Sequence, residues 1–212
     1  MNILIKSSAR TGSHMLYDMF CAMGYKGYHT SWFYRDIDCM NRPRLAHKKG
    51  YLESGQHNIV VHDHTNWVPD NPEEWWLIYS QRCDIIAQSL SEELAAHIKE
   101  YHPDDGALGY SETEYKPFTV PIFSLLGKCK HRQQWNYNLD RVFTEHNWLH
   151  RDVLVYESLV NKTPRDVIKF LGMSTLHRLP DDYTWDSQKS PRSTREMILN
   201  YDEAYEFCRR NM

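Results

Sequence analysis

The chain has 212 residues, 41% hydrophobic and 13% aromatic, enough for one domain with a full core. Lys and Arg total 25 against 28 Asp and Glu. The resulting net charge of -3 argues against broad, sequence-independent binding to nucleic acid or an anionic membrane, and leaves room for a local basic pocket. No apolar run approaches the ~20 residues of a membrane helix, and Met1-Asn2-Ile3-Leu4-Ile5-Lys6 is interrupted too soon for a signal peptide. The five cysteines (Cys21, Cys39, Cys83, Cys129, Cys208) are odd in number and form no CxxC pair. They read as free thiols of a reducing, cytoplasmic compartment.

In chain order, Ile3-Leu4-Ile5 reads as a strand, and the small, polar Ser7 to Ser13 as a tight loop. Met15, Leu16, Met19, Phe20 and Met23 recur at helical spacing, and Gly24 closes that helix. Asn58-Ile59-Val60-Val61 is a second strand, ending at His62-Asp63-His64, and Trp75-Trp76-Leu77-Ile78-Tyr79 is a third. Asp84 caps a helix through Ile85, Ile86, Leu90, Leu94 and Ile98. Residues 101–120, with Pro103, Gly106, Gly109 and Pro117, read as a long loop, followed by a helix from about Cys129 to Asn147. Val153-Leu154-Val155-Tyr156 is a fourth strand, and Pro164 opens a helix that ends near Gly172. Residues 178–194 read as loop, and Arg195 to Arg209 as a last helix. Strands alternating with helices predict a single α/β domain over residues 1–212, with a parallel sheet covered on both faces. In such sheets ligands bind at the carboxyl ends of the strands.

The loop Ser7-Ser8-Ala9-Arg10-Thr11-Gly12-Ser13-His14 joins the first strand to the first helix. Successive backbone N–H groups there can curl round an anion, with the helix dipole adding to the attraction. Gly12 permits close approach, and Arg10, Thr11 and Ser13 offer side-chain donors. The loop lacks the Lys-Ser/Thr pair with which the GxxxxGK[ST] loop holds a nucleotide phosphate and Mg²⁺. A small-residue turn with ordinary capping has the same composition, so both readings stand at this level.

Four segments together resemble a sulfotransferase that uses 3'-phosphoadenosine-5'-phosphosulfate (PAPS) as donor. Arg10-Thr11-Gly12-Ser13-His14 is similar to that family's loop for the 5'-phosphosulfate. Tyr79-Ser80-Gln81-Arg82-Cys83-Asp84, running on to Gln88-Ser89-Leu90-Ser91, resembles its 3'-phosphate segment. Val155-Tyr156-Glu157-Ser158-Leu159, with Pro164 and Phe170-Leu171-Gly172, resembles its Tyr-Glu-Asp-Leu segment and Phe-Leu-Gly helix end. Ser187-Gln188-Lys189-Ser190 before Ile198-Leu199-Asn200-Tyr201-Asp202-Glu203 looks like its C-terminal loop and helix. These matches span almost the whole chain in the family's order.

The resemblance implies a three-layer, P-loop-like parallel sheet flanked by helices. It also implies transfer of a sulfuryl group from PAPS to a hydroxyl or amine of a small-molecule or carbohydrate acceptor, leaving PAP (3'-phosphoadenosine-5'-phosphate), with no metal. Arg10 would stand at the leaving oxygen, and the backbone of Thr11, Gly12, Ser13 and His14 would hold the 5'-phosphate. His14 replaces the usual Thr or Ser, so its side chain is open to donor or acceptor. Arg82 would grip the 3'-phosphate with Ser91 or Ser89, Tyr156 would lie near the 3'-phosphate or the adenine, and Lys189 and Ser190 would add contacts from the C-terminal loop. Lys6 is open to the site or to solvent.

An attacking acceptor must lose a proton, which calls for a general base. His64 takes the position of the base in one branch of the family, and His62 that of a neighbouring lysine. Asp63 alternates away from both on the strand and is open to a structural or an orienting role. Another branch uses a Glu after the first helix, which Tyr28-His29-Thr30-Ser31-Trp32-Phe33 lacks, leaving His29 as the fallback. His62-x-His64, with His57 nearby, lacks the third and fourth ligands of a metal site. A small nucleotide kinase or NTPase, and a non-catalytic nucleotide-binding protein on the same fold, are the rival readings.

Overall fold

The computed structural model describes residues 1–8, 10–29, 58–64, 67–97, 116–159, 161–173, 179–184 and 193–212. By their contacts these fall into two compact units, Met1–Cys83 with Asn136–Ser187, and Asp84–Trp135 with Gln188–Met212.

The first unit is built on five strands: β1 (Asn2–Ser7), β2 (Lys26–His29), β3 (Ile59–Asp63), β4 (Trp75–Gln81) and β5 (His150–Val155). They pair in the order β2-β3-β1-β4-β5, and every pair is parallel. Helix α1 (Ser13–Ala22) follows β1. The sheet is buried on both faces, which is why its central strands read as continuous apolar runs. Alternate residues divide between the faces. Ile3, Ile5, Val60, Trp76, Ile78 and Leu154 pack with Leu16, Met19 and Phe20 of α1. Leu4, Ile59, Val61, Trp75 and Leu77 pack on the other side with Val142 and Trp148. The arrangement is three layers, helix, sheet and helix.

One strand lies outside the sequence expectation. Lys26-Gly27-Tyr28-His29 has no apolar run to signal β2, and pairing with β3 at the sheet edge, Lys26 opposite Ile59, makes it a strand. Gly27 is required there, because a Cβ would overlap Tyr17 Oη and Cys21 Sγ of α1. Gly24, at φ 92°, turns the chain out of α1, and Tyr25 N–H donates to the Phe20 carbonyl at 3.1 Å.

Two further helices of this unit are α4 (Tyr156–Leu159) and α5 (Pro164–Phe170). Thr163 and Asp166 form a capping box at the start of α5. Tyr156 thus opens a helical turn rather than closing a strand, a correction to the fourth predicted strand.

The second unit contains α2 (Ile85–His97), α6 (Thr194–Met197), α7 (Tyr201–Asn211) and the first part of α3 (Ile122–Glu145), whose last part belongs to the first unit. Its core includes Ile86, Leu90, Leu125, Cys129, Ala204 and Cys208. Asp84 caps α2 as expected, with Oδ1 accepting from Ala87 N–H at 2.8 Å, and Oδ2 accepting from the Tyr205 hydroxyl at 3.0 Å.

Helix α3 starts just after Pro121, seven residues before the expected Cys129. The expected C-terminal helix is two. Ile198 is extended (φ -100°, ψ 106°) and bridges Phe118, and the Asn200 side chain accepts from Val120 N–H at 2.9 Å and donates to its carbonyl at 3.0 Å. That pairing breaks the helix between Met197 and Tyr201. Among the described residues no helix is long and apolar enough to cross a membrane.

Candidate functional site

The strand order sets where a ligand can sit. From β1 the chain runs through α1 to β2 on one side of the sheet, whereas β4 is followed in the sheet by β5 on the other. The carboxyl ends of β1 and β4 therefore flank a topological switch point, where parallel sheets leave a crevice. The loop Ser8–Gly12 and the turn at Arg82 and Cys83 stand at those ends.

In the loop, Arg10 and Gly12 both have left-handed backbones, at φ 66° and 75°. That conformation is costly for arginine and natural for glycine. The loop is tied down from within and from β4. The Thr11 hydroxyl donates to the Ser8 carbonyl at 3.1 Å, and the Ser80 hydroxyl donates to the Thr11 carbonyl at 2.8 Å. Thr11 is fully buried, so its hydroxyl serves the loop's shape. Gly12 is the N-cap of α1, where no side chain makes a capping bond and no acidic residue occupies the first turn. The positive end of the helix dipole there has no carboxylate from the first turn of α1. Arg10 and His14 are exposed at this end, and Ser13 is buried.

Gly12 also lies against Tyr156: a Cβ would stand 3.1 Å from Tyr156 Cδ2. The same ring carries the Arg82 guanidinium, 4.7 Å from its centroid. Arg82 is 18% exposed, and Glu157 Oε1 lies 3.4 Å from its Nε. That approach supplies charge without hydrogen-bond geometry, because the buried Nε–H makes no hydrogen bond. Glu157 Oε2 accepts instead from Cys83 N–H at 3.1 Å. A buried guanidinium N–H without an acceptor is costly, so this corner is suited to an added anion.

At the carboxyl ends of β1 and β3 three imidazoles converge. The ring centroids of His62 and His64 are 4.3 Å apart, those of His14 and His62 4.6 Å, and those of His14 and His64 6.4 Å. Ser7 lies between the two β3 histidines. Its Oγ is 3.2 Å from His62 Nε2 and 3.3 Å from His64 Nδ1, and its carbonyl oxygen is 2.9 Å from His64 Nδ1. Ser7 and His62 are fully buried, and His64 is half-buried. A basic imidazole beside a phosphate-type loop can take a proton from a hydroxyl.

Lys6 and Asp63 occupy the opposite face of the same two strands. They are direct partners in the parallel register and form a fully buried ion pair. Burial pulls the Lys6 ammonium below its ordinary range, and the Asp63 carboxylate opposes that. Lys6 therefore takes neither expected place, being sealed from solvent and on the face opposite the histidines, and Asp63 takes the structural role as its partner. Among the described residues no group of three His, Cys, Asp or Glu side chains could hold a metal ion.

The other expected residues lie elsewhere. Ser89 and Ser91 are on α2 in the second unit. Ser89 is fully buried and its hydroxyl donates to the Ile85 carbonyl at 2.9 Å, whereas Ser91 is half-buried. Lys189, Ser190, His57 and the His29 side chain lie outside the described residues.

Within segments that the sequence singles out, three members of the site have no expected role of their own: Ser7, Ser80 and Glu157. Ser7 had a usable signal, since it shares a face with Ile3 and Ile5, as His62 does with Val60. No protein-family model matches the chain, and no curated protein matches it.

Proposed function

We propose that this chain is a PAPS-dependent sulfotransferase, transferring the sulfuryl group to a hydroxyl or amine of a small-molecule or carbohydrate acceptor. The observation that carries this reading is one juxtaposition. The Arg10–His14 loop, the unsatisfied Arg82 Nε and the His62–His64 pair all stand at the carboxyl ends of β1, β3 and β4 in a single unit. The strand order β2-β3-β1-β4-β5, with the loop after the central strand, is in keeping with a P-loop-like sheet.

The residues present fit the donor on two counts. The buried Nε of Arg82 makes no hydrogen bond within the protein, and the α1 N-terminus at Gly12 has no side-chain cap and no acidic residue in its first turn. When bound, PAPS supplies an activated sulfuryl group and a phosphate leaving group. Arg82 would hold the 3'-phosphate with charge-assisted hydrogen bonds, the Tyr156 ring backing its guanidinium. The backbone of Thr11 to His14 and the α1 dipole would hold the 5'-phosphate, and Arg10 would neutralise charge on the oxygen that leaves. His64 would take the acceptor's proton. Glu157, now beside Arg82, would have to give way to the 3'-phosphate. We place the protein in the cytoplasm, where its five scattered cysteines would stay reduced.

The test is transfer of labelled sulfate from PAPS to a panel of carbohydrates, small alcohols and amines. The wild type should label at least one acceptor, and Arg10→Ala and His64→Ala should each lower the rate by roughly 10²-fold or more. Equal labelling by wild type and both variants would refute the assigned roles. ATP-dependent phosphorylation of the same panel would replace the reading with a kinase.

A further inference from the structure

We propose that Ser7 is the positioning residue of this site, fixing the tautomers of both neighbouring imidazoles through a directed chain of hydrogen bonds. The inference deepens the sulfotransferase reading and rests on it for the meaning of His64 as base. Its geometry stands independently.

The chain follows from which atoms can donate. A carbonyl oxygen only accepts, so the 2.9 Å contact between His64 Nδ1 and the Ser7 carbonyl requires a proton on Nδ1. A neutral His64 therefore carries its lone pair on Nε2, the nitrogen through which it would take the acceptor's proton. The same Nδ1–H lies 3.3 Å from Ser7 Oγ, which can accept it only through its lone pairs. The single hydroxyl proton of Ser7 is then directed to His62 Nε2, 3.2 Å away. His62 must accept there, so its own proton sits on Nδ1. The direction runs from His64 through Ser7 to His62.

Burial gives the chain its rigidity. Ser7 and His62 are fully buried and at strand ends, so neither can reorient without leaving a polar atom unsatisfied. The groups facing the pair are His14 and Tyr17 from α1, with Arg10 in the adjoining loop. On the opposite face Lys6 of β1 and Asp63 of β3 neutralise each other. When His64 gains a proton on Nε2, its Nδ1–H becomes a stronger donor to both Ser7 oxygens. The serine thus favours the charged form that proton transfer creates. No covalent bond changes: one proton moves from the acceptor to His64 Nε2.

The test is nitrogen NMR of histidine-labelled protein, in wild type, Ser7→Ala and Ser7→Thr, with His62→Gln to assign the signals. In the wild type both His62 and His64 should be protonated on Nδ1 when neutral. In Ser7→Ala the His62 tautomer should redistribute while the backbone carbonyl keeps His64 as it is, and Ser7→Thr, which retains the hydroxyl, should restore His62. The acid limb of kcat/KM for sulfate transfer should move to lower pH in Ser7→Ala and return in Ser7→Thr.

A wild-type His62 or His64 protonated on Nε2 when neutral overturns the proposal, even if Ser7→Ala fails to fold. An unchanged His62 in a folded Ser7→Ala also overturns it. Because the spectra need no donor, their outcome is separate from failure of the sulfotransferase reading, which would show as absent PAP binding with the tautomers as stated.

Discussion

The Lys6 ammonium and the Asp63 carboxylate face each other across neighbouring parallel strands, directly in register and sealed from solvent. This pair lies just under the sheet from Ser7 and His62, so it fixes the strand ends that carry the histidines. Removing one partner takes the opposite charge away from a buried ion. Asp63→Ala should lower unfolding stability by roughly 3–5 kcal/mol, whereas the double change Lys6→Met with Asp63→Leu should recover most of it. Urea unfolding of the three proteins checks this. A single variant as stable as wild type would remove the pair from the account.

Gly12 has little room for a side chain and a backbone that disfavours one. Its φ is 75°, and a Cβ would press on Tyr156 Cδ2 at 3.1 Å. Gly12→Ala should cost about 1–2 kcal/mol from the left-handed conformation alone. It should also weaken PAP binding by displacing the Tyr156 ring beneath Arg82. Thermal unfolding and calorimetry separate the two effects.

Glu157 is the resident counter-charge of Arg82 and is 41% exposed. A partly exposed pair of this kind is worth about 0.2–1 kcal/mol. Glu157→Gln should therefore tighten PAP binding by roughly 1.4- to 5-fold, as those energies convert. Weaker binding in that variant would mean that Glu157 supports the ligand rather than competes with it.

The fold should lose stability in alkali. Burial pushes the Tyr25 hydroxyl up from 10.0 to about 12, and the Cys208 thiol from 9.0 to about 11. Each group ionises more readily in the unfolded chain, so above its unfolded value the folded state binds more protons than the unfolded one. Stability should be level up to about pH 9 and fall as pH rises beyond it, through pH 10 to 12. Denaturant midpoints measured from pH 7 upward check the sign.

The central strands and α1 were legible because burial on both faces writes them as apolar runs. β2 was not, since Lys26-Gly27-Tyr28-His29 is made a strand by its neighbour and by Gly27 under α1. The break in the C-terminal helix depends on Asn200 meeting Val120, a contact between residues 80 positions apart. Within the site, Arg10, Gly12, Arg82 and His64 stood out by chemical type in motif order. Ser7 and Glu157 did not, because a serine on a strand and a glutamate after one acquire meaning only from the register that places them beside His62 and Arg82.

Calorimetric titration with PAP, the desulfated donor, tests the central claim most directly, in wild type and Arg82→Ala. The account predicts micromolar binding to the wild type and its collapse in the variant. Binding of ATP or GTP in place of PAP, equal binding of PAP by both proteins, or no nucleotide binding at all would contradict it.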